Sequence, residues 1–375
     1  MAMRLSHLRF FTTYLAQGVQ RVGKSYLRHH ASSALQGDTS KLQLFYNLLP
    51  EFGSVPWMLK PVLMFIVEEN LQAGSRHRLV SASALVTAAV WLHLACAAPR
   101  GAVFLLCTAL VSLGSAMADG LIDGQVAEES VDSESATACR YSCEYGQFVG
   151  GVVVGIGAWL LSLEQGTLLL LTAASWALIV PFNAIHAATS PPPGRGSASP
   201  SQGTPLRKQA LLSAMRDEAV VMVCAVMFLI LLSPTVDFFL FRQHVLKLTA
   251  SQQSLVSLGG SLGWFAGVWT FKHKLAPGRP ASSVLGRCLA VWPAGALGAL
   301  AVARVAGPGA GLQLALVEGA LTEFCKSLTF MPCMVLMQLH TPRGCESTAF
   351  SLMQWSGTIG QVLSRNAEYV LMGWL

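Results

Sequence analysis

The chain has 375 residues, 53% of them hydrophobic and only 12% charged, with a mean hydropathy of +0.51. A soluble domain carries about 25% charged residues, so this composition excludes a protein whose whole surface faces water. The net charge of +6 is scattered over many short segments, which excludes the concentrated basic face that nucleic acid requires.

The first 37 residues contain no acid but do contain Arg4, Arg9, Arg21, Lys24 and Arg28. They fit either a transit segment or a weak first spanning helix over 9–27, and the helix is the reading adopted. Further apolar stretches follow at 42–66, 79–98, 101–122, 145–163 and 167–188, then at 218–241, 253–271, 285–303, 310–336 and 347–370. Each is long enough to cross a hydrocarbon core of roughly 30 Å, giving about eleven transmembrane helices. Between the sixth and seventh, residues 189–217 are rich in Pro, Gly and Ser, which predicts a flexible linker rather than a folded element.

The expected fold is therefore an all-α membrane protein of two bundles. Residues 1–188 form an N-terminal six-helix bundle, 189–217 a flexible cytoplasmic linker, and 218–375 a C-terminal bundle of about five helices. Two halves joined by a linker are the layout of the major facilitator transporters, whose halves rock about a midplane site. On that plan the twelfth span is missing after Leu375, as expected of a truncated gene product, a fragment or a divergent paralogue. Loop charge agrees. The even-numbered loops hold Arg76, Arg78, Arg140, Arg195, Arg207, Lys208, Arg216, Lys272, Lys274, Arg279, Arg287 and Arg343, against six bases in the odd-numbered loops. That bias places the even loops and the N-terminus on the cytoplasmic side.

Small residues mark where helices meet. Gly146 and Gly150, Gly151 and Gly155, and the series Gly259, Gly263 and Gly267 recur every four residues, a spacing that lets backbones approach closely in lipid. The nine cysteines are scattered, and the pair Cys139 and Cys143 has no second pair to complete a zinc site. No nucleophile–base arrangement, metal-ligand spacing or phosphate loop occurs. We therefore expect no enzyme activity and neither cofactor nor metal.

Ionisable residues at membrane depth are costly and mark a solute path or a paired lock. The candidates are Lys60, Asp119, Asp123, Asp237, Glu318 and Lys326. Asp119 and Asp123 stand one turn apart and share a helix face. Asp123 could equally belong to a solvated loop mouth with Glu128 and Glu129, and Glu323 with Lys326 could form a local structural pair.

Several motifs, in order, resemble the folate–biopterin transporters of the major facilitator superfamily. Gln17-Gly18 sits where that family has Gln-Gly in its first helix, and Pro56-Trp57-Met58-Leu59-Lys60-Pro61 resembles its Pro-Trp…Lys-Pro element. Ala118-Asp119, Asp123 and Glu128 resemble the acidic signature of its fourth helix. Ser142-Cys143-Glu144-Tyr145-Gly146 is similar to a further element, with Tyr145 in place of Trp. Met331-Pro332 and the run Pro342, Gly344, Glu346, Thr348 complete the series. The resemblance makes Trp57, Pro61, Glu68, Glu128, Pro342, Gly344 and Glu346 structural motif positions. It departs where Met64 replaces a glycine and Glu68 an aspartate, and bulky Met64 is expected to hinder close helix approach.

The resemblance implies a carrier for folate, biopterin or a related pteridine, working by alternating access and coupled to protons, most simply as a monomer in a lipid bilayer. Its membrane would be a plasma membrane or a plastid envelope. Asp119 or Asp123 would accept from the pterin edge, Lys60 or Lys326 would attract an anionic tail, and Phe238, Phe239 and Phe241 could stack. Asp119 is the first candidate for the coupling carboxylate. The alternative is a non-transporting scaffold or receptor-like paralogue.

Overall fold

The computed structural model describes residues 5–34, 53–70, 76–97, 101–161, 163–189, 204–232, 250–305 and 311–372, and among these there is no strand. Thirteen longer helices follow in chain order: α1 (Leu5–Ala34), α2 (Lys60–Asn70), α3 (Arg76–Ala97), α4 (Gly101–Glu129), α5 (Ser133–Leu160), α6 (Gln165–Ala177), α7 (Ile179–Thr189), α8 (Thr204–Met215), α9 (Glu218–Leu232), α10 (Ala250–Thr270), α11 (Ala281–Val305), α12 (Gly311–Leu339) and α13 (Glu346–Met372). A π-helical turn, Phe271–Leu275, extends α10.

Four helical segments among the described residues are long and apolar enough to cross a membrane: Arg76–Ala97, Gly101–Glu129, Gly166–Ala188 and Gly311–Leu339. Large side chains such as Val62, Ile66, Leu85, Val103 and Leu106 stand about half exposed or more. Water would penalise such a surface and lipid does not. The weak first span is a 30-residue helix, α1, with Phe10, Tyr14, Ala16 and Val19 in the core. The fifth span starts twelve residues before its apolar run, because Asp132 caps α5: Ser135 N–H donates to Asp132 Oδ1 at 2.8 Å, and Asp132 N–H donates to Ser135 Oγ at 3.0 Å. That backbone bond also holds the exposed Asp132 carboxyl below its ordinary range.

The helices sort into two compact units, which interleave along the chain. One comprises Met1–Glu128, Tyr145–Ser213 and Pro342–Leu352, and the other Glu129–Glu144, Ala214–Thr341 and Met353–Leu375. Within the first, α3 packs on α6 and α7, and α1 on the same two helices. Within the second, α12 is central, packed by α9, α10 and α11. Part of the expected linker is itself folded: Thr204–Met215 is the helix α8, and Lys208 stands 5.8 Å from the ring of Phe65. Its Leu, Ala and Met content outweighs the breakers that fill the segment before it.

The glycine series lie at close crossings. A Cβ at Gly146 or Gly150 would fall on backbone carbonyls of Phe11 or Leu15 in α1, and one at Gly263 on Ala320 in α12. Met64 overturns the expectation of hindrance. It is fully buried, and it fills the space above a glycine on the facing helix, since a Cβ at Gly120 would lie only 2.6 Å from its Sδ. The small residue facing it, Gly120, lies on α4, and the two helices pack closely there.

These crossings make opposite predictions for one kind of substitution. Gly→Ala inside a helix ordinarily stabilises by about 1 kcal/mol. Gly157→Ala, where an added Cβ meets nothing within 4 Å, is expected to raise or keep the melting temperature of the detergent-solubilised protein. Gly150→Ala is expected to lower it, by an overpacking cost of roughly 1–3 kcal/mol. Equal melting temperatures would show that α1 and α5 do not meet as described.

Candidate functional site

The centre of the first unit is a buried ionic trio. Pro56 and Pro61 bracket the start of α2, where Lys60 is 3% exposed. One turn separates Asp119 from Asp123 on α4, so both carboxylates reach the same ammonium. Lys60 Nζ donates to Asp119 Oδ2 at 2.6 Å and to Asp123 Oδ2 at 3.0 Å. The outer oxygens are filled from α1: Gln17 Nε2 donates to Asp119 Oδ1 at 2.9 Å, and Tyr14 Oη donates to Asp123 Oδ1 at 2.7 Å. Trp57 places its ring 5.7 Å from Lys60 Nζ. Asp123 has no exposed surface, so it is not part of a solvated loop mouth.

The seam continues along α1 and α4 at helical spacing. Gln20 Nε2 donates to Ser115 Oγ at 2.8 Å, Trp91 Nε1 donates to Gln20 Oε1 at 3.2 Å, and Lys24 Nζ donates to Ser112 Oγ at 3.4 Å. The result is a polar strip through an apolar bundle, made from one residue per turn of each helix.

A second polar cluster of the same unit gathers most of the motif positions. Glu68 accepts from the backbone amides of Ser347 at 2.7 Å and Thr348 at 3.1 Å, and from the Thr348 hydroxyl. It thereby satisfies the unpaired N–H groups at the start of α13, with its charge facing the positive end of the helix dipole. Arg76 stands among three carboxylates, paired with Glu128 and lying 3.6 Å from Glu68 and 3.7 Å from Glu346. Gly344 takes a positive φ of 89° and presents its N–H to Glu346 Oε1 at 2.8 Å. Arg343 donates to the Glu128 carbonyl at 2.7 Å. Pro342 opens this turn. Beside the cluster, a cavity of about 270 Å³ is lined by Arg9, Arg76, His77, Gln125, Glu128 and His186.

Glu318 and Lys326 belong to the second unit, and each has a partner about one turn away. Lys326 Nζ lies 3.3 Å from Glu323 Oε1 one turn away, and Thr322 donates to Glu318 at 3.2 Å. Asp237 and the three phenylalanines beside it lie outside the described residues. A buried pair that the sequence did not single out is stronger: Arg140 Nη2 to Glu144 Oε1 at 2.6 Å, with Trp264 Nε1 donating to Glu144 Oε2 at 2.9 Å. Gln17 and Tyr14 were also missed as site residues. The only signal for Gln17 was the Gln-Gly dipeptide, and Tyr14 had none.

A family model described as the BT1 family matches residues 17–375. The chain belongs to the BT1 family. A folate-biopterin transporter of Synechocystis is 25% identical over 378 residues, covering 98% of this chain and 75% of that protein. Among solved structures, the Escherichia coli fucose:proton symporter FucP superposes with a TM-score of 0.65 at 14% identity, covering 99% of this chain and 90% of its own. A bacterial homologue of the iron transporter ferroportin, in an outward-facing state, gives 0.64 at 15% identity over 99% and 92%. These likenesses carry the fold, that of the major facilitator superfamily. The BT1-family chain is thus an integral membrane transporter for a small solute, not an enzyme by kinship.

In this BT1-family protein the trio should govern stability. Removing one partner of a buried ion pair costs roughly 3–5 kcal/mol, because the other charge is left uncompensated. Lys60→Met is expected to destabilise by about that amount, and Lys60→Met with Asp123→Asn by distinctly less, read as melting temperatures in one detergent. Additive losses would show that the groups do not interact.

Proposed function

We propose that this BT1-family transporter carries folate, biopterin or a related pteridine across its membrane by alternating access coupled to protons. It works as a monomer in lipid, in a plasma membrane or a plastid envelope, with 1–188 and 218–375 as its two halves. The observation that carries the reading is the Lys60–Asp119–Asp123 trio, a cation and two anions buried together in a chain whose relative is a folate-biopterin transporter. Such groups are retained at membrane depth where they serve a path or a coupling step.

The chemistry suits the cargo. A pterin presents an amino-amide edge that two carboxylate oxygens can receive, and folate adds carboxylates that an ammonium attracts. With every trio oxygen engaged by Lys60, Gln17 or Tyr14, a solute enters by exchange: its edge displaces Lys60 from an aspartate, or its carboxylate draws Lys60 away. Lys60 has a formal charge of +1 against −2 for the aspartates, and a proton is the smallest ion that cancels the difference. Glu68 then acts in gating, since releasing the first turn of α13 requires breaking its cap. Of the departures that would favour the scaffold alternative, Met64 packs against Gly120 on the facing helix.

Radiolabelled folate and biopterin uptake in an auxotroph tests this. Accumulation is expected, and Lys60→Ala is expected to lower it about tenfold or more, the equivalent of one charge-assisted hydrogen bond. No accumulation of either, with the protein present in the membrane, would favour the scaffold.

A further inference from the structure

The two units treat their basic residues differently. In the first, Arg76 stands among Glu68, Glu128 and Glu346. In the second, residues 238–317 contain seven lysines and arginines and no acid at all. Four of these bases, Lys272, Lys274, Arg279 and Arg287, fall within 272–287. None of the four forms an ion pair among the described residues. Half-buried Lys272 places its Nζ 3.6 Å from the centre of the Tyr141 ring, a cation–π contact between the π-helical turn and α5. His273 meets the same ring edge-on at 5.8 Å. Lys274, Arg279 and Arg287 are exposed.

Exposed bases are ordinary by themselves, but these lie at the end of an exposed apolar stripe. Leu262, Ala266 and Trp269 stand exposed at helical spacing on α10. The Trp269 ring lies 5.1 Å from that of His273, so the stripe leads directly into the basic turn. Along one helix the order is aliphatic, then indole, then cationic, over about 15 Å from Leu262 to Lys272. Tryptophan favours the headgroup level of a bilayer, which puts the bases that follow it among the phosphates.

We propose that this face of the second unit, from Leu262 through Trp269 to Lys274, Arg279 and Arg287, binds acidic phospholipids of the membrane leaflet it meets. A phospholipid carries the matching order of acyl chain, ester region and phosphate. Its chain lies against Leu262 and Ala266, its ester region beside the indole, and its phosphate at the exposed bases. An acidic headgroup suits them better than a zwitterionic one, because the acid-free segment offers no carboxylate to receive an amine. A soluble anion could use the bases but would leave the apolar stripe uncovered. The inference concerns the lipid that surrounds the protein and is independent of the cargo it carries.

Native mass spectrometry of the full-length protein in detergent, titrated with phosphatidylglycerol or phosphatidylcholine, resolves individual bound lipids and gives an affinity for each. Phosphatidylglycerol is expected to bind several-fold more tightly, and its advantage should shrink as salt is raised. A base near an acidic lipid surface contributes about fivefold. Lys274→Gln, Arg279→Gln and Arg287→Gln together should therefore bring phosphatidylglycerol close to phosphatidylcholine. All three positions are exposed, so the core is untouched, and an unchanged melting temperature checks this. Arg78→Gln, Lys208→Gln and Arg216→Gln remove the same charge from three exposed bases elsewhere and should leave the preference intact. Equal losses in the two triple variants would overturn the proposal in favour of a diffuse positive field. So would a wild type with no preference. Displacement of the bound lipid by glycerol phosphate or by a glutamate-rich peptide would also overturn it, assigning the bases to a soluble anion or to a protein.

Discussion

An ammonium ion held out of water between two carboxylates is the constraint on which the first unit depends. Burying three charges costs several kcal/mol per ion even after relaxation, and their attraction offsets that only if the remaining hydrogen-bonding positions are filled. This requirement fixes three helices at once. α2 must deliver Lys60, α4 must present Asp119 and Asp123 one turn apart, and α1 must bring Gln17 and Tyr14 to the outer oxygens. The glycine crossings then become necessary rather than incidental. α1 comes close enough to reach across to α4 while α5 packs on it through Gly146 and Gly150, where no side chain would fit. Met64 over Gly120 fills the corresponding space between α2 and α4.

Much of this was legible in the sequence because the relevant signals are local or energetic. Apolar runs announce helices in lipid, an i,i+4 pair of aspartates announces a shared face, and a lysine between prolines at membrane depth announces a partner. The same reading failed where meaning depends on a distant residue. Met64 looked like an obstruction because size was judged without the glycine opposite, 56 positions later in the chain. Arg76 was counted as one loop base among twelve, yet it is the hub for Glu68, Glu128 and Glu346. Nothing in a loop arginine distinguishes a hub from a solvated charge. Tyr14 was invisible for a similar reason: a tyrosine in an apolar helix is ordinary until its hydroxyl has an address.

The two compact units also cut across single helices. Both α5 and α13 are divided, Glu144 from Tyr145 and Leu352 from Met353. In each case the helix end is held by charge. Arg140 and Glu144 close with Trp264 in the second unit, and Glu346 to Thr348 are held by Arg76 and Glu68 in the first. Apolar packing in lipid is nearly indifferent to partner, since lipid tails are as apolar as the side chains. Ion pairs and capped amides are directional, so they decide where each helix end belongs.

The two polar clusters of the first unit are joined by one rigid element. Lys60 and Glu68 stand eight residues apart on α2, about 12 Å at 1.5 Å per residue. α4 makes the same connection in parallel, from Asp123 to Glu128. A helix transmits a shift along its axis with little loss, whereas a packed core resists gradual deformation. If Lys60 moves when one aspartate is neutralised, Glu68 must move with it, and its bonds to the Ser347 and Thr348 amides have little slack at 2.7 and 3.1 Å. A link of this kind would tie the cap on α13 to the charge state of the trio. Glu68 reaches the Ser347 and Thr348 amides from the same helix on which Met64 packs against Gly120 of α4.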